Sequence, residues 1–397
     1  MAKMTCYEDL MYRGLIKDRT NNADFEEKLN EGNMTFYWGT DPTADSLTIG
    51  HYSSLLTAKR LMKYGHHPIL LVGGATGLIG DPRPTAEREI MDKKVLDKNV
   101  EGIRKQINEL FGPEVEVVNN YDWTKDFSLI DFLRDVGKFI NVNYMLNKDI
   151  IARRLETGIT FTEFSYTLLQ GYDFVHLYKE KNCIMQVEGS DQWGNITTGV
   201  ELINKMLGKE AYAFTMPIIT DSTGKKMGKS EGNALWLDKN RTTPFDLYQY
   251  MINTTDDIVE HYLKVFTFLD KDQIDEVMAK HNEKPEDRFA QKTLAYEFVK
   301  DLHGEEDANQ ARIISEALFG GSTEDLEATP ITPESRNILD IMMAADLIPS
   351  KSEGRRLVEQ GGVSIDDDKI TDPKFEVTKD EFVLHKGKKK VVKLVIK

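Results

Sequence analysis

Five short segments of this 397-residue chain carry side chains suited to chemistry. Lys225-Lys226-Met227-Gly228-Lys229-Ser230 sets three lysines and a hydroxyl around a glycine. Such a loop can fold over phosphates and neutralise the charge that develops on a departing pyrophosphate. An ordinary solvated basic loop has the same composition. The stretch from Phe36 to Leu56, FYWGTDPTADSLTIGHYSSLL, reads as a strand, a polar turn and the start of a helix. Gly39 permits close backbone approach of a ligand, Pro42 fixes the turn, and Ser46 or Thr48 can cap the helix. Gly50 and His51 then fall in the first helical turn, where free N–H groups and the positive dipole end attract phosphate. A plain strand–loop–helix unit with one capping histidine would look alike.

The other three segments are polar in a different way. GGATGLIGDP, from Gly73 to Pro82, is a glycine-rich loop closed by Asp81. It lacks the Gly-Lys-Ser/Thr ending of a P-loop and is not GxGxxG. Tyr166, Gln170 and Asp173 are spaced i, i+4, i+7 and share one helical face. Phe164, Leu168, Leu169, Phe174 and Leu177 nearly surround that stripe. A polar stripe buried in this way needs partners, and a small zwitterion would supply them; a solvated face is the alternative. EGSDQWGNI, from Glu188 to Ile196, follows a strand and opens a helix, so Asp191 and Gln192 fall at the ligand edge of a sheet.

The elements that must position these side chains alternate. Strand and helix patterns succeed one another through the first 243 residues, which predicts an α/β fold with a Rossmann-like, doubly wound parallel sheet and a ligand at the carboxyl ends of its strands. From Pro244 to about Phe319 the pattern is all-helical. GGSTEDLEATPITPES reads as a linker. A small α+β module closes the chain. The expected domains are 1–243, 244–330 and 335–397.

Composition narrows the classes. Hydrophobic residues make up 40% and charged residues 29%, the balance of a globular protein. The net charge of −15 argues against a general nucleic-acid-binding surface. Residues 331–397 nevertheless hold 13 Lys+Arg against 12 Asp+Glu, so the tail is a separate module in charge. Two cysteines, Cys6 and Cys183, make neither a disulfide framework nor a Cys-based zinc site, and a reducing cytoplasmic compartment is expected. The first residues have no apolar core of a secretory signal, and no apolar run approaches the roughly 18 residues of a membrane span.

In their order the five segments resemble the class I aminoacyl-tRNA synthetases. IGHY stands where the HIGH signature falls and KMGKS where KMSKS falls. More narrowly, YWGTDPTADSL, GGATGLIGDP, SYTLLQGYDF and GSDQWGNITTGVELI resemble the bacterial tyrosyl-tRNA synthetase family, and SKSEGRRLVEQGGVSID resembles its S4-like RNA-binding module. The resemblance implies an enzyme that activates L-tyrosine with ATP and Mg²⁺ and transfers it to tRNA(Tyr), a homodimer, with no protein-held metal. It implies that Tyr37 and Asp173 hold the phenolic hydroxyl, that Asp81, Tyr166 and Gln170 hold the ammonium group, and that Gln186 lines the pocket. Asp191 and Gln192 would lie by the ribose and carboxyl region, with Gly39, Asp41, Gly50 and Gly189 beside the nucleotide. Thr43, Thr48 and His51 would serve ATP and its phosphates, and Lys226, Lys229 and Ser230 would clamp the β- and γ-phosphates. Arg355 and Arg356, basic in an acidic protein, are expected to meet RNA. Three positions depart from the family pattern: Thr48 for the first HIGH histidine, Trp38 for a small residue, and Glu188 for a glycine. The alternatives are an RNA-binding paralogue without adenylation, an enzyme for another amino acid such as tryptophan, and a tail that binds protein.

Overall fold

Buried apolar runs and glycine-rich breaks dictate the first sheet. In a computed structural model the chain is described at residues 4–82, 90–156, 158–227, 229–230, 233–318, 322–366, 368–387 and 390–397, with backbone alone at 229, 230 and 233. It divides into two compact units, Met1–Thr242 with Thr255–Glu283, and Thr243–Thr254 with Lys284–Lys397.

In the first unit, β1 (Asp18–Arg19), β2 (Thr35–Thr40), β3 (His67–Val72), β4 (Glu116–Asn119), β5 (Cys183–Gly189) and β6 (Tyr212–Met216) form one sheet in the order β1-β6-β5-β2-β3-β4, and β7 (Lys229–Ser230) pairs with β8 (Asn233–Ala234) in a short antiparallel ribbon. All neighbours in the sheet are parallel except β1 and β6. Ile69 to Val72 and every residue of β6 are buried, as expected of parallel strands covered on both faces. The chain winds outward from β2 through β3 to β4, and from β5 to β6 in the opposite direction. The winding therefore reverses between β2 and β5. Their pairing runs only to Tyr37↔Gln186, after which the strands part at their carboxyl ends. A ligand crevice is expected at such a switch point.

Helices deliver side chains to that crevice. Phe161–Lys181 starts at Thr160, whose hydroxyl accepts the Glu163 N–H, and stops at Asn182 in the left-handed region. It lies against Trp193–Leu207 where two glycines meet. A Cβ on Gly199 would stand 3.1 Å from Phe174 Cβ and 3.5 Å from the Gly171 Cα. Two buried arginines fasten Thr255–Glu283 to the same unit. Arg13 donates to the carbonyls of Lys264 and Leu269 at 2.8 and 2.7 Å, and Arg60 to that of Val265 at 2.8 Å. These are the last carbonyls of the helix Asp256–Phe266 and its exit, where cations are favoured.

The second unit packs the helices Pro244–Ile252, Phe289–His303 and Glu305–Leu318 together. Thr243 caps the first in a capping box with Asp246. The unit also holds a five-stranded sheet of β9 (Ala328–Ile331), β10 (Val363–Ile365), β11 (Asp368–Ile370), β12 (Glu381–Lys386) and β13 (Lys390–Ile396), ordered β11-β10-β12-β13-β9. The helices Ile338–Ala344 and Lys351–Glu359 share its core of Ile338, Met342, Val358, Leu384 and Leu394.

Two local expectations change. Part of the stretch read as a linker is β9, which runs parallel to β13 and buries Ile331; Gly320 and Gly321 lie outside the described residues. The strand read through VEVVNNYDW stops at Asn119. Asn120 is fully buried and its side chain turns to other partners, and Tyr121–Thr124 is a helical turn.

Candidate active site

A cavity of about 390 Å³ opens at the carboxyl ends of β2 and β5. Its inner end is polar and largely without internal partners. Tyr37 on β2 lines it, with Gln170 and Asp173 from the helix Phe161–Lys181; Gln186, the register partner of Tyr37 on β5, is buried and is not among the lining residues. Tyr37 Oη, Gln170 Oε1 and Gln186 Nε2 are buried and make no hydrogen bond of good geometry within the protein, although Gln186 lies near enough to Tyr37 to act on its hydroxyl. Leaving such atoms unpaired is costly, so the two on the cavity wall, Tyr37 Oη and Gln170 Oε1, mark the place of a polar ligand. Asp173 is held in place: Asn120 Nδ2 donates to Oδ2 at 2.9 Å and Trp123 Nε1 to Oδ1 at 2.8 Å. Burial raises its pKa to about 7, against the pull of those two donors. Burial, reinforced by the Asp173 charge, pushes the Tyr37 hydroxyl well above its ordinary value.

The middle of the cavity is ringed by carboxylates already engaged. Asp41 accepts Tyr166 Oη at 3.0 Å and Thr76 Oγ1 at 2.7 Å. Asp81 accepts Gln192 Nε2 at 3.0 Å and Asn195 Nδ2 at 3.2 Å, and Asn195 also donates to Gln192 Oε1 at 2.9 Å. The structure thus brings Asp81, Tyr166 and Gln170 to one wall, with the Tyr166 hydroxyl given to Asp41. Gly73 is required here, since a Cβ would come within 2.3 Å of both Asp41 Oδ1 and Thr76 Oγ1. Gly39, Gly189, Asp191 and Glu188 complete the wall on the β2–β5 side.

The outer end is built by the helix Ile49–Lys63. Thr48 is its extended N-cap, and its backbone N–H donates to His51 Nδ1 at 3.1 Å. A nitrogen that accepts cannot carry the ring proton, which leaves it on Nε2. Burial, with the Lys226 charge, lowers the His51 pKa to about 4, so the ring is neutral at physiological pH. Thr43, Gly50 and Lys226 line the same end. Gly228 lies outside the described residues, as do the side chains of Lys229 and Ser230, whose backbone pairs with Asn233–Ala234. Arg355 and Arg356 lie exposed on the helix Lys351–Glu359 of the second unit. Lys388 and Lys389 lie outside the described residues.

Sequence reasoning missed Thr76, Asn120, Trp123 and Asn195. Asn195 had a usable signal, four residues after Asp191 on the start of a helix. Asn120 and Trp123 follow a strand but act 50 residues or more away in sequence, on Asp173. Among the described residues, no group of three or more His, Cys, Asp or Glu side chains is disposed to hold a metal ion, and no helix is long and apolar enough to cross a membrane.

A Rossmann-like sheet with this cavity at its switch point defines the class of protein, and comparison with known proteins agrees. Residues 29–320 match the model of the class I tRNA synthetases (W and Y), and residues 319–394 match the SYY-like C-terminal domain of tyrosine–tRNA ligase. The chain is 43% identical to the tyrosine–tRNA ligase of Streptococcus pyogenes serotype M49, covering 98% of this chain and 99% of that protein. It is 33% identical to the C-terminally truncated mitochondrial tyrosyl-tRNA synthetase of Aspergillus nidulans, with a TM-score of 0.70 over 78% of this chain and 93% of that one. The tyrosyl-tRNA synthetase of Archaeoglobus fulgidus, solved with L-tyrosine, shares the fold at a TM-score of 0.56 and 16% identity, over 77% of this chain and 99% of that one. The chain is a class I aminoacyl-tRNA synthetase. Within that class it belongs to the tyrosine–tRNA ligase family.

Proposed function

We propose that the cavity joins L-tyrosine to ATP and that the enzyme then passes the tyrosyl group to the 3′-terminal ribose of tRNA(Tyr). The observation that carries this reading is the pair of buried cavity-wall atoms without a hydrogen bond of good geometry, Tyr37 Oη and Gln170 Oε1, beside the anchored Asp173. A phenol answers the Tyr37 and Asp173 end, and an ammonium group answers Gln170 with Asp81 and Tyr166. In adenylation a carboxylate oxygen of tyrosine attacks the α-phosphorus of ATP. The bond to the bridging oxygen breaks, and its electron pair leaves with pyrophosphate. The amino acid brings its own nucleophile, so the protein's task is positioning and charge stabilisation. Thr43, Thr48, Gly50 and neutral His51 offer donors at the helix start, and Lys226, Lys229 and Ser230 serve the β- and γ-phosphates. Gly39, Asp41, Gly189, Asp191 and Gln192 border the nucleoside. Mg²⁺ enters as part of the ATP substrate: Asp41 and Asp81 are engaged by Tyr166, Thr76, Gln192 and Asn195, which fits a metal carried on phosphate oxygens.

Residues 1–243 then act as the catalytic module, 244–330 in anticodon recognition and 335–397, with Arg355 and Arg356, in RNA binding. Homodimerisation is supported by Leu129, Ile130, Val142 and Phe161, which are 61–74% exposed on neighbouring segments of the first unit. Two free, buried cysteines fit a reducing cytoplasm. Pyrophosphate exchange dependent on tyrosine tests the reading, and no exchange with any amino acid would leave the RNA-binding alternative in its place.

A further inference from the structure

Glu188 is the one acidic side chain of the β2–β5 split that the reaction above does not use. It is 5% exposed and lines the cavity. Along β5 it follows Gln186 by two residues, so it projects from the same face, one pleat nearer the carboxyl end. Gln186 faces Tyr37, where the β2–β5 ladder ends. One step further, Gly39 has no backbone partner on β5, and its N–H donates to Glu188 Oε1 at 2.5 Å. The side chain therefore takes over where the ladder stops. A Cβ on Gly39 would sit 3.5 Å from that oxygen, an ordinary van der Waals contact, so the carboxyl packs directly against the Gly39 backbone. The other oxygen, Oε2, makes no hydrogen bond among the described residues.

The surroundings decide what this oxygen meets. Burial, with the neighbouring charges of Asp191 and Asp41, raises the Glu188 pKa well above the ordinary value. A phosphate or carboxylate group is poorly matched to three acidic side chains. A neutral, hydroxyl-bearing group is well matched whether Glu188 accepts or donates. The position lies between the inner polar end and the helix start with His51 and Lys226.

Resting on the adenylation reading, we propose that Glu188 is a specificity-determining residue that hydrogen-bonds a ribose hydroxyl of ATP and of the adenylate through Oε2. The test compares kcat/KM for ATP with that for 2′-deoxy-ATP and 3′-deoxy-ATP in tyrosine-dependent adenylate formation. The wild-type enzyme should disfavour at least one deoxy analogue by about tenfold, the worth of one good hydrogen bond. Glu188→Ala should abolish that preference while KM for tyrosine moves by less than about twofold. Glu188→Gln, which keeps a donor and an acceptor, should retain most of it. Preference unchanged in Glu188→Ala would make the residue a structural tie of Gly39 and overturn the proposal. So would a rise in KM for tyrosine alone, which would mean contact with the ammonium group. A wild-type enzyme that treats all three nucleotides alike overturns it without any variant. Failure of the wild type to form adenylate at all would instead overturn the adenylation reading.

Discussion

Asp173 shows how one side chain carries both selectivity and a stability cost. Asn120 and Trp123 orient its carboxyl, and Tyr37 Oη stands by without a partner. A substrate that lacks the phenolic hydroxyl leaves both buried groups unsatisfied. Tyr37→Phe with Asp173→Asn should cut the preference for tyrosine over phenylalanine by about 10- to 100-fold, read as the ratio of kcat/KM values in pyrophosphate exchange. An unchanged ratio would mean the pocket is misassigned. The same carboxyl has a folded-state pKa of about 7 against an ordinary 3.8. Between those values the folded chain keeps a proton that the unfolded chain has lost. Stability therefore falls as pH rises through this window, with a limiting slope of about 1.4 kcal/mol per pH unit. Asp173→Asn removes the effect. Denaturant melts at pH 5 and pH 8 should show the wild type losing more stability between them than the variant does.

At the scale of elements, the site depends on how closely two helices approach. Gly171 and Gly199 let Phe161–Lys181, which carries Gln170 and Asp173, lie against Trp193–Leu207, which carries Asn195. Gly199→Val would overpack that crossing and should destabilise the fold by about 1–3 kcal/mol, with a raised KM for tyrosine as the helix is displaced. Chemical denaturation and steady-state kinetics check the two effects. The same helix starts beside a buried ion pair, Arg154 to Glu163 at 2.9 Å. Glu163→Ala removes this ion pair from the buried interior and should cost about 3–5 kcal/mol, measured in the same melts.

This is also the scale at which the sequence was most legible. The helix start, narrowed to a cap at Ser46 or Thr48, and the shared face of Tyr166, Gln170 and Asp173 follow from local rules of capping and periodicity; the structure selects Thr48. The alternation that predicted the parallel sheet is equally local. What was not legible depends on partners distant in the chain. Nothing near Tyr166 announces that its hydroxyl is given to Asp41, 125 residues away, and nothing near Asn120 announces Asp173. β9 was hidden for a similar reason. A Thr-Pro stretch reads as a linker until the strand that pairs with it is known.

For the molecule as a whole, separable tasks give separable losses. Removing residues from about 335 onward should spare tyrosine-dependent pyrophosphate exchange and weaken aminoacylation of tRNA by an order of magnitude or more, as expected when several phosphate contacts are lost together. Equal loss of both activities would count against that division. Light scattering of the intact protein tests the dimer; a monomer would leave the apolar residues between 129 and 161 unexplained.

The strand order β11-β10-β12-β13-β9 also sets a timetable. β13 lies inside the sheet, between β12 and β9, yet it is the latest of the five to leave the ribosome. Until it arrives, β9 has no partner and β12 shows an open edge, the kind of surface that pairs with other chains. Assembly of this sheet therefore waits for its latest strand, however early the helices before it have folded. A chain truncated before Lys390 should be bound by chaperones or pelleted with aggregates. A chain that includes β13 should not.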